Sequence, residues 1–266
     1  MEMGLLEFLV EKRERQTLFW WKPKIGVNVG DQLSRVVVQA MLGTRDLDLL
    51  SPTVTPGKRL TAIGSVLHFA RTGDIVWGSG VNGKVPISSH KFKSLDVRSV
   101  RGPRTRSFLM ERGIDVPQIY GDPGLLFPLF LPSQFIPIGQ KRDYVVIPHL
   151  NEPIEKYKAF SENLLRPSMR PAHFVHELIN AKFVVSSSLH GLILAEAYGV
   201  PAIYLDWGNG EDLLKYNDYY EGTGRMVWRK GRSVEECLDI GRGAGDFDLK
   251  EIQRGLIKSF PFDMWA

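Results

Sequence analysis

Short apolar runs recur along the chain, and stretches with apolar residues three and four apart fall between several of them. The runs Arg59–Ile63, Asp74–Trp77, Asp96–Val100, Gln118–Tyr120, Tyr144–Ile147, Phe183–Ser186 and Ala202–Leu205 read as strands. Asp31–Leu42 carries Leu33, Val36, Val37, Ala40 and Met41 at the spacing of one helix face. Pro103–Arg112 opens on proline and is followed by Gly113, the asymmetry expected of a helix. A further helix, Leu192–Tyr198, separates the last two strands. Strands alternating with helices predict an α/β chain with mostly parallel sheets.

The stretch GLLFPLFLPSQFIPIGQKRD holds several prolines, no helical period and then a polar break. It reads as a linker near residues 128–142, so the chain divides into halves at 1–135 and 136–266. At 266 residues, 43% hydrophobic and 24% charged, the chain can bury a sizeable core. One cysteine, Cys237, excludes an internal disulfide and a cysteine metal cage, and suits a reducing compartment. No secretory signal is visible, and no apolar run approaches a spanning length. The net charge of +4 suits an acidic small substrate or anionic lipid. Nucleic acid is the weakest match, because basic residues do not interleave with aromatics along a strand.

The N-terminal segment LLEFLVEKRERQTLFWWKPK admits two readings. Leu5, Leu6, Phe8, Leu9 and Val10 precede Lys12, Arg13 and Arg15, and Phe19, Trp20 and Trp21 stand beside Lys22 and Lys24. An interfacial membrane helix has this composition. A first helix docked on the core, with its tryptophans buried, has it too, and Glu7, Glu11 and Glu14 dilute the basic charge.

Candidate chemistry gathers at strand ends. WGSGVNG places Gly78, Gly80 and Gly83 after a strand, but Pro86 follows where a dinucleotide fingerprint needs a helix. The turn is read as lining a cleft or as a plain turn. NVGD sets Asn28, Gly30 and Asp31 at a helix start, where Asp31 can be an N-cap. RSVRGPRTRS groups Arg98, Arg101, Arg104 and Arg106. Arg101 sits at the strand end, where a guanidinium and helix amides together could grip an anion. Asp122 and His149 stand just past strands, each as a cleft group or an ordinary surface residue. His173 and His176 have near one-turn spacing but no third ligand, and the DLD (Asp46, Asp48) and DFD (Asp246, Asp248) triplets follow no clear strand. No metal site is read from them. VVSSSLHGL puts Ser187, Ser188, Leu189 and His190 at the turn between a strand and a helix, and there His190 reads as an acid/base residue.

In this order the pieces resemble the polysaccharide pyruvyl transferase family. The matching stretches are Asn28–Asp31, the Gly78/Gly80 turn, Val100-Arg101-Gly-Pro, Gly121-Asp-Pro123, Ser187–Gly191 and Lys215–Tyr220. The phrases TAIGSVLHFA, DIVWGSGVNGK and YLDWGNGEDLLKYNDYYEGTGRM look closer still to the xanthan-type exopolysaccharide ketal pyruvyl transferases. The resemblance implies two Rossmann-like halves in a GT-B-like arrangement, with the active site in the cleft between them. It implies phosphoenolpyruvate as donor and a sugar of a lipid-linked oligosaccharide as acceptor, at the cytoplasmic face of the membrane. In many members an arginine precedes the Leu-His pair, where this chain has Ser188.

Such chemistry protonates the methylene carbon of an enol phosphate and makes C2 an electrophile. Two sugar hydroxyls then attack it, phosphate leaves, and a cyclic ketal closes. That requires a general acid, assigned to His190, and a base, assigned to Asp31. Arg101, Arg98, Ser187, Ser188, Leu189 and Gly80 are the candidate donor-binding residues. Asn28, Asp122, His149, Lys215 and Asp218 are the candidate acceptor-binding or cleft residues. No metal or cofactor is required. Two other classes share parts of this pattern: a GT-B glycosyltransferase using a nucleotide sugar, and a non-catalytic polysaccharide-binding protein.

Overall fold

The computed structural model describes residues 5–23, 27–51, 57–208 and 212–265, with backbone alone for 5–8. Lys24 and the side chains of Leu5, Leu6, Glu7 and Phe8, which entered the reading of the N-terminal segment, lie outside the described residues. In chain order the elements are α1 (Leu5–Thr17), β1 (Leu18–Phe19), α2 (Val29–Gly43), β2 (Leu60–Thr61), β3 (Ile75–Trp77), β4 (Asp96–Ser99) and α3 (Pro103–Met110). There follow α4 (Phe127–Phe130), β5 (Val145–Ile147), α5 (Pro171–Ile179), β6 (Val184–Ser186), α6 (Leu189–Ala197), β7 (Ala202–Leu205), α7 (Leu214–Gly222), β8 (Lys230–Gly231), α8 (Val234–Ile240) and α9 (Leu249–Lys258).

Two parallel sheets of four strands form, β1-β2-β3-β4 and β5-β6-β7-β8. The register sets Leu60 beside Ile75 in the first and Val184 beside Ala202 in the second. Every residue of β5, β6 and β7 is buried, as strands covered on both faces must be. The named strands of each sheet run in chain order, and Leu164, which follows β5 in the chain, bridges Val146 on the edge of β5 away from β6, so the order reverses at β5; the two parallel-sheet halves are as expected.

The expected strands are present with shorter limits, except Gln118–Tyr120, which contributes a single bridge from Tyr120 to Val100. Two short edge strands, β1 and β8, were not foreseen. The first lay inside a segment read as one amphipathic stretch, and the second is a Lys-Gly pair with no apolar signal. Helix α2 buries Leu33, Val37, Val38, Met41 and Leu42, while Val36, expected on the same face, is exposed. Helix α6 begins at Leu189, three residues earlier than expected, so His190 belongs to its first turn.

From Leu18 on, the N-terminal segment packs on the fold. Leu18 and Trp20 are buried, the Arg15 guanidinium lies 4.2 Å from the Trp20 ring centroid, and Phe19 packs on Phe69. Glu11 pairs with Arg15 and Lys22, and Glu14 with Arg35. The aromatic residues read as a membrane anchor therefore face the fold. Among the described residues no helix is long and apolar enough to cross a membrane.

The chain changes sheets across residues 100–144, around the proline-rich stretch, and later returns to the first sheet. Trp77 Nε1 donates to the Leu256 carbonyl at 2.9 Å, Gln253 Nε2 to the Leu125 carbonyl at 2.8 Å, and Phe260 meets Trp77 edge to face. Helix α7 likewise lies against α3, tied by Arg104 to Glu221. Packing thus joins the halves through α7 and α9.

Candidate active site

A pocket of about 270 Å³ opens where the carboxyl ends of both sheets meet. Its wall takes Gly64, Ser65, Val66, His68 and Phe69 from the chain after β2, and Asn82 from that after β3. His149, Leu150 and Asn151 follow β5; Ser188, Leu189 and His190 follow β6; Lys215 lies in the first turn of α7. Trp21, Asn28 and Asp31 complete it from the chain after β1. Parallel strands all end on one side, which is why residues far apart in sequence converge there.

His190 is the best-supported group in this wall. Its ring lies flat against the first turn of α2, so close that a Cβ added to Gly30 would fall 2.2 Å from His190 Nδ1. Gly30 is therefore the residue that admits the imidazole. Behind the ring, Asp122 is fully buried, with Oδ1 accepting from the Gly124 amide at 2.8 Å and Oδ2 3.7 Å from His190 Nε2. Among the described residues neither Asp122 Oδ2 nor His190 Nε2 has a hydrogen-bond partner. The buried carboxyl of Asp122 thus stands directly behind the imidazole.

Asp31 borders the same ring. Burial, opposed by the charge of His190 and a hydrogen bond from Asn28, pushes its carboxyl up to about 6. A carboxylate there is a competent base near neutral pH. Asn28, not Asp31, is the N-cap of α2, and its side chain donates to Asp31 Oδ2; the capping role expected for Asp31 is corrected accordingly.

Anion-binding capacity comes from backbone and lysine. Helices α2 and α6 both start at this wall, and the amides of their first turns have no helical acceptor. Ser188 is the N-cap of α6 and its hydroxyl makes no capping bond. Lys215 adds a buried ammonium, 5.1 Å from the Tyr216 ring centroid. His149 is held from behind, its amide donating to Ser187 Oγ at 2.8 Å and to Glu152 Oε2 at 2.9 Å.

Several expected site residues lie elsewhere. Arg101 is fully buried and committed: Nε donates to Asp218 Oδ2 at 3.0 Å, Nη1 to Ser65 Oγ at 2.6 Å and Nη2 to the Val81 carbonyl at 2.9 Å. Asp218 also receives the Thr105 amide and hydroxyl. The pair locks α7 onto the first half, and Arg101 reaches the pocket only through Ser65. Gly80 makes room for that guanidinium, since a Cβ there would lie 2.2 Å from Arg101 Cζ. Arg98 pairs with Asp96 and Asp263 outside the pocket. Ser187 is a clasp between the ends of β5 and β6, bonded to Glu152 and Tyr157. His173 is exposed, and His176 pairs with Glu177. Among the described residues no three metal-ligating side chains gather.

Trp21, Ser65, His68, Asn82 and Glu152 were missed. Ser65 and His68 had a usable signal: GSVLHF follows a strand end as SSLHGL does.

A family model described as polysaccharide pyruvyl transferase matches residues 28–209. The succinoglycan biosynthesis protein ExoV of Rhizobium meliloti is 28% identical over 252 residues, covering 88% of this chain and 75% of that protein. An uncharacterized protein of Acanthamoeba polyphaga mimivirus is 23% identical over 205 residues, 73% of this chain and 70% of its own. Among solved structures, an uncharacterized protein of Klebsiella pneumoniae superposes with a TM-score of 0.47 at 14% identity, covering 83% of this chain and 94% of that one.

Proposed function

The chain belongs to the polysaccharide pyruvyl transferase family, and from that premise we propose that it transfers the pyruvyl group of phosphoenolpyruvate to a sugar of an exopolysaccharide repeat unit. The product is a cyclic pyruvate ketal, and phosphate is released. The acceptor is lipid-linked and presented at the cytoplasmic face of the membrane. The two halves act as a GT-B-like pair, residues 1–135 and 136–266, with the α9 tail returned to the first. Similarity to a protein of succinoglycan biosynthesis supports the exopolysaccharide assignment.

The observation that carries this reading is His190, set between the starts of α2 and α6 with buried Asp122 behind it. His190 gives its proton to the methylene carbon of the donor, and Asp122 stabilises the proton-bearing ring until it does. Donor phosphate and carboxylate face the amides at the α6 start, the Ser188 hydroxyl and Lys215. Among the described residues no arginine lines the pocket; the grip expected of Arg101 passes to these groups. Asp31 takes a proton from an attacking hydroxyl, and its contact with His190 lets it restore the acid afterwards.

The test is phosphate release from phosphoenolpyruvate, measured with and without lipid-linked oligosaccharide acceptors, with the ketal identified by mass spectrometry and NMR. Acceptor-dependent release with a product heavier by one pyruvyl unit is expected. Binding of a nucleotide sugar, with no phosphate release across the acceptor panel, would overturn the reading in favour of a glycosyltransferase.

A further inference from the structure

We propose that His68 is a second proton-transfer residue of this pocket, the base for one of the two attacking hydroxyls. The inference rests on the pyruvyl-transfer reading and adds a residue that neither the family match nor the strand-end motifs assigned. His68 lies in the chain following β2, on the wall contributed by the first half, while His190 comes from the second; both line the one cavity. Its Nδ1 is buried with no hydrogen-bond partner among the described residues, which leaves Nε2 as the nitrogen available to the cavity.

Its surroundings contrast with those of His190. The ring lies tilted against Phe69 with centroids 4.0 Å apart, and His90 stands edge-on at 6.2 Å. Arg59 and Arg112 approach through the Phe69 and His90 carbonyls. Across the cavity are Asp31, His149, His190 and Lys215. Among the described residues no carboxylate pairs with His68, whereas His190 has Asp122 behind it. Burial, with a smaller contribution from the charge of His90, lowers His68 below the ordinary histidine value. A ring so placed is neutral at physiological pH and free to accept a proton.

The stoichiometry calls for such a group. Each of two acceptor hydroxyls loses a proton; one ends on the donor methylene, making the methyl, and the other leaves with phosphate. His68 takes the proton of the first hydroxyl as that oxygen's electron pair forms its bond to C2. It returns the proton to the bridging oxygen as the C2–O bond to phosphate breaks. Asp31 then takes the proton of the second hydroxyl and restores His190, so the enzyme ends in its starting state.

The test uses the full chain with His68→Gln and His68→Ala. In the phosphate-release assay His68→Gln should lose roughly 10²-fold or more in kcat, with the KM for phosphoenolpyruvate within about twofold and the melting temperature unchanged. Imidazole added to His68→Ala should restore part of kcat. At pH below the values of both groups, log kcat/KM should fall with a slope of about 2 in the parent, where Asp31 and His68 must both be deprotonated, and about 1 in His68→Gln. Near-normal kcat in the folded fraction of both variants, or an unchanged slope, would overturn the role of His68 alone. A parent protein that releases no phosphate with any acceptor overturns the pyruvyl-transfer reading and this role with it.

Discussion

Replacing Gly30 with alanine adds one methyl group where His190 lies. The added Cβ would stand 2.2 Å from Nδ1, 2.6 Å from Cγ and 2.9 Å from Cε1 of the ring. Carbon and nitrogen atoms need about 3.4 Å or more, so the ring must withdraw by on the order of 1 Å. Withdrawal changes the 3.7 Å approach of Nε2 to Asp122 and the aim of the proton at the donor. A displacement of that size costs roughly 10²-fold in rate when geometry carries the catalysis. Helix propensity works the other way: alanine favours the first turn of α2 by up to about 1 kcal/mol over glycine. The variant should therefore fold at least nearly as well as the parent and turn over about 100-fold more slowly.

The assay is steady-state phosphate release, with thermal melting run in parallel. Gly43→Ala is the control, because it sits in the same helix and its added methyl meets nothing within 4 Å. It should leave kcat unchanged. If Gly30→Ala folds and keeps the parent kcat, the ring is not positioned by α2, or it does not carry the chemistry. Either result refutes the reasoning.

Other outcomes follow from the same geometry. His190→Gln keeps hydrogen-bonding capacity but cannot titrate, so kcat should fall roughly 10²–10⁴-fold with little change in melting temperature. Arg101→Lys loses the fork that holds Asp218, Ser65 and the Val81 carbonyl, and Gly80→Ala drives a methyl into it. Both should lower stability in denaturant titration, by about 3–5 kcal/mol if the buried pair is broken, with the donor KM of the folded fraction little changed. Asp31 has its carboxyl raised from 3.8 to about 6, so folding is favoured by its protonated form. That contribution is complete below pH 3.8 and is lost as pH rises through about 6. Asp31→Asn should then gain up to about 3 kcal/mol over the parent above pH 6, none below pH 4, and lose activity.

Much of the architecture was legible because it is written locally. Apolar runs marked six strands, β2 to β7, and Pro103 with Gly113 bracketed α3 within two residues. The edge strands β1 and β8 were not, because a two-residue strand has no period to detect. Strand order was likewise unreadable, since short helical connections are compatible with either a sequential or a reversing sheet. Of the candidate site, the residues next to strand ends, Asn28, Asp31, His149, Ser188, Leu189, His190 and Lys215, do meet in one pocket. His68 shares their position and was passed over because its neighbours are apolar.

Arg101 shows where local reading ends. Its place at a strand end before a helix start was read correctly, and that place does adjoin the pocket. Its partner, however, is Asp218, 117 residues on and brought in by α7. A guanidinium held by a buried carboxylate, a hydroxyl and a carbonyl cannot turn to a ligand without leaving that carboxylate unpaired, at a cost of several kcal/mol. The position before the Leu-His pair is Ser188, so that position supplies no guanidinium either. On the pyruvyl-transfer reading, the anionic donor is met by helix amides, Lys215 and the histidines. Amides at a helix start are fixed dipoles that carry no net charge and need no counter-ion. On this argument the Arg101–Asp218 pair is the strut that keeps α7, and with it Lys215, against the first half.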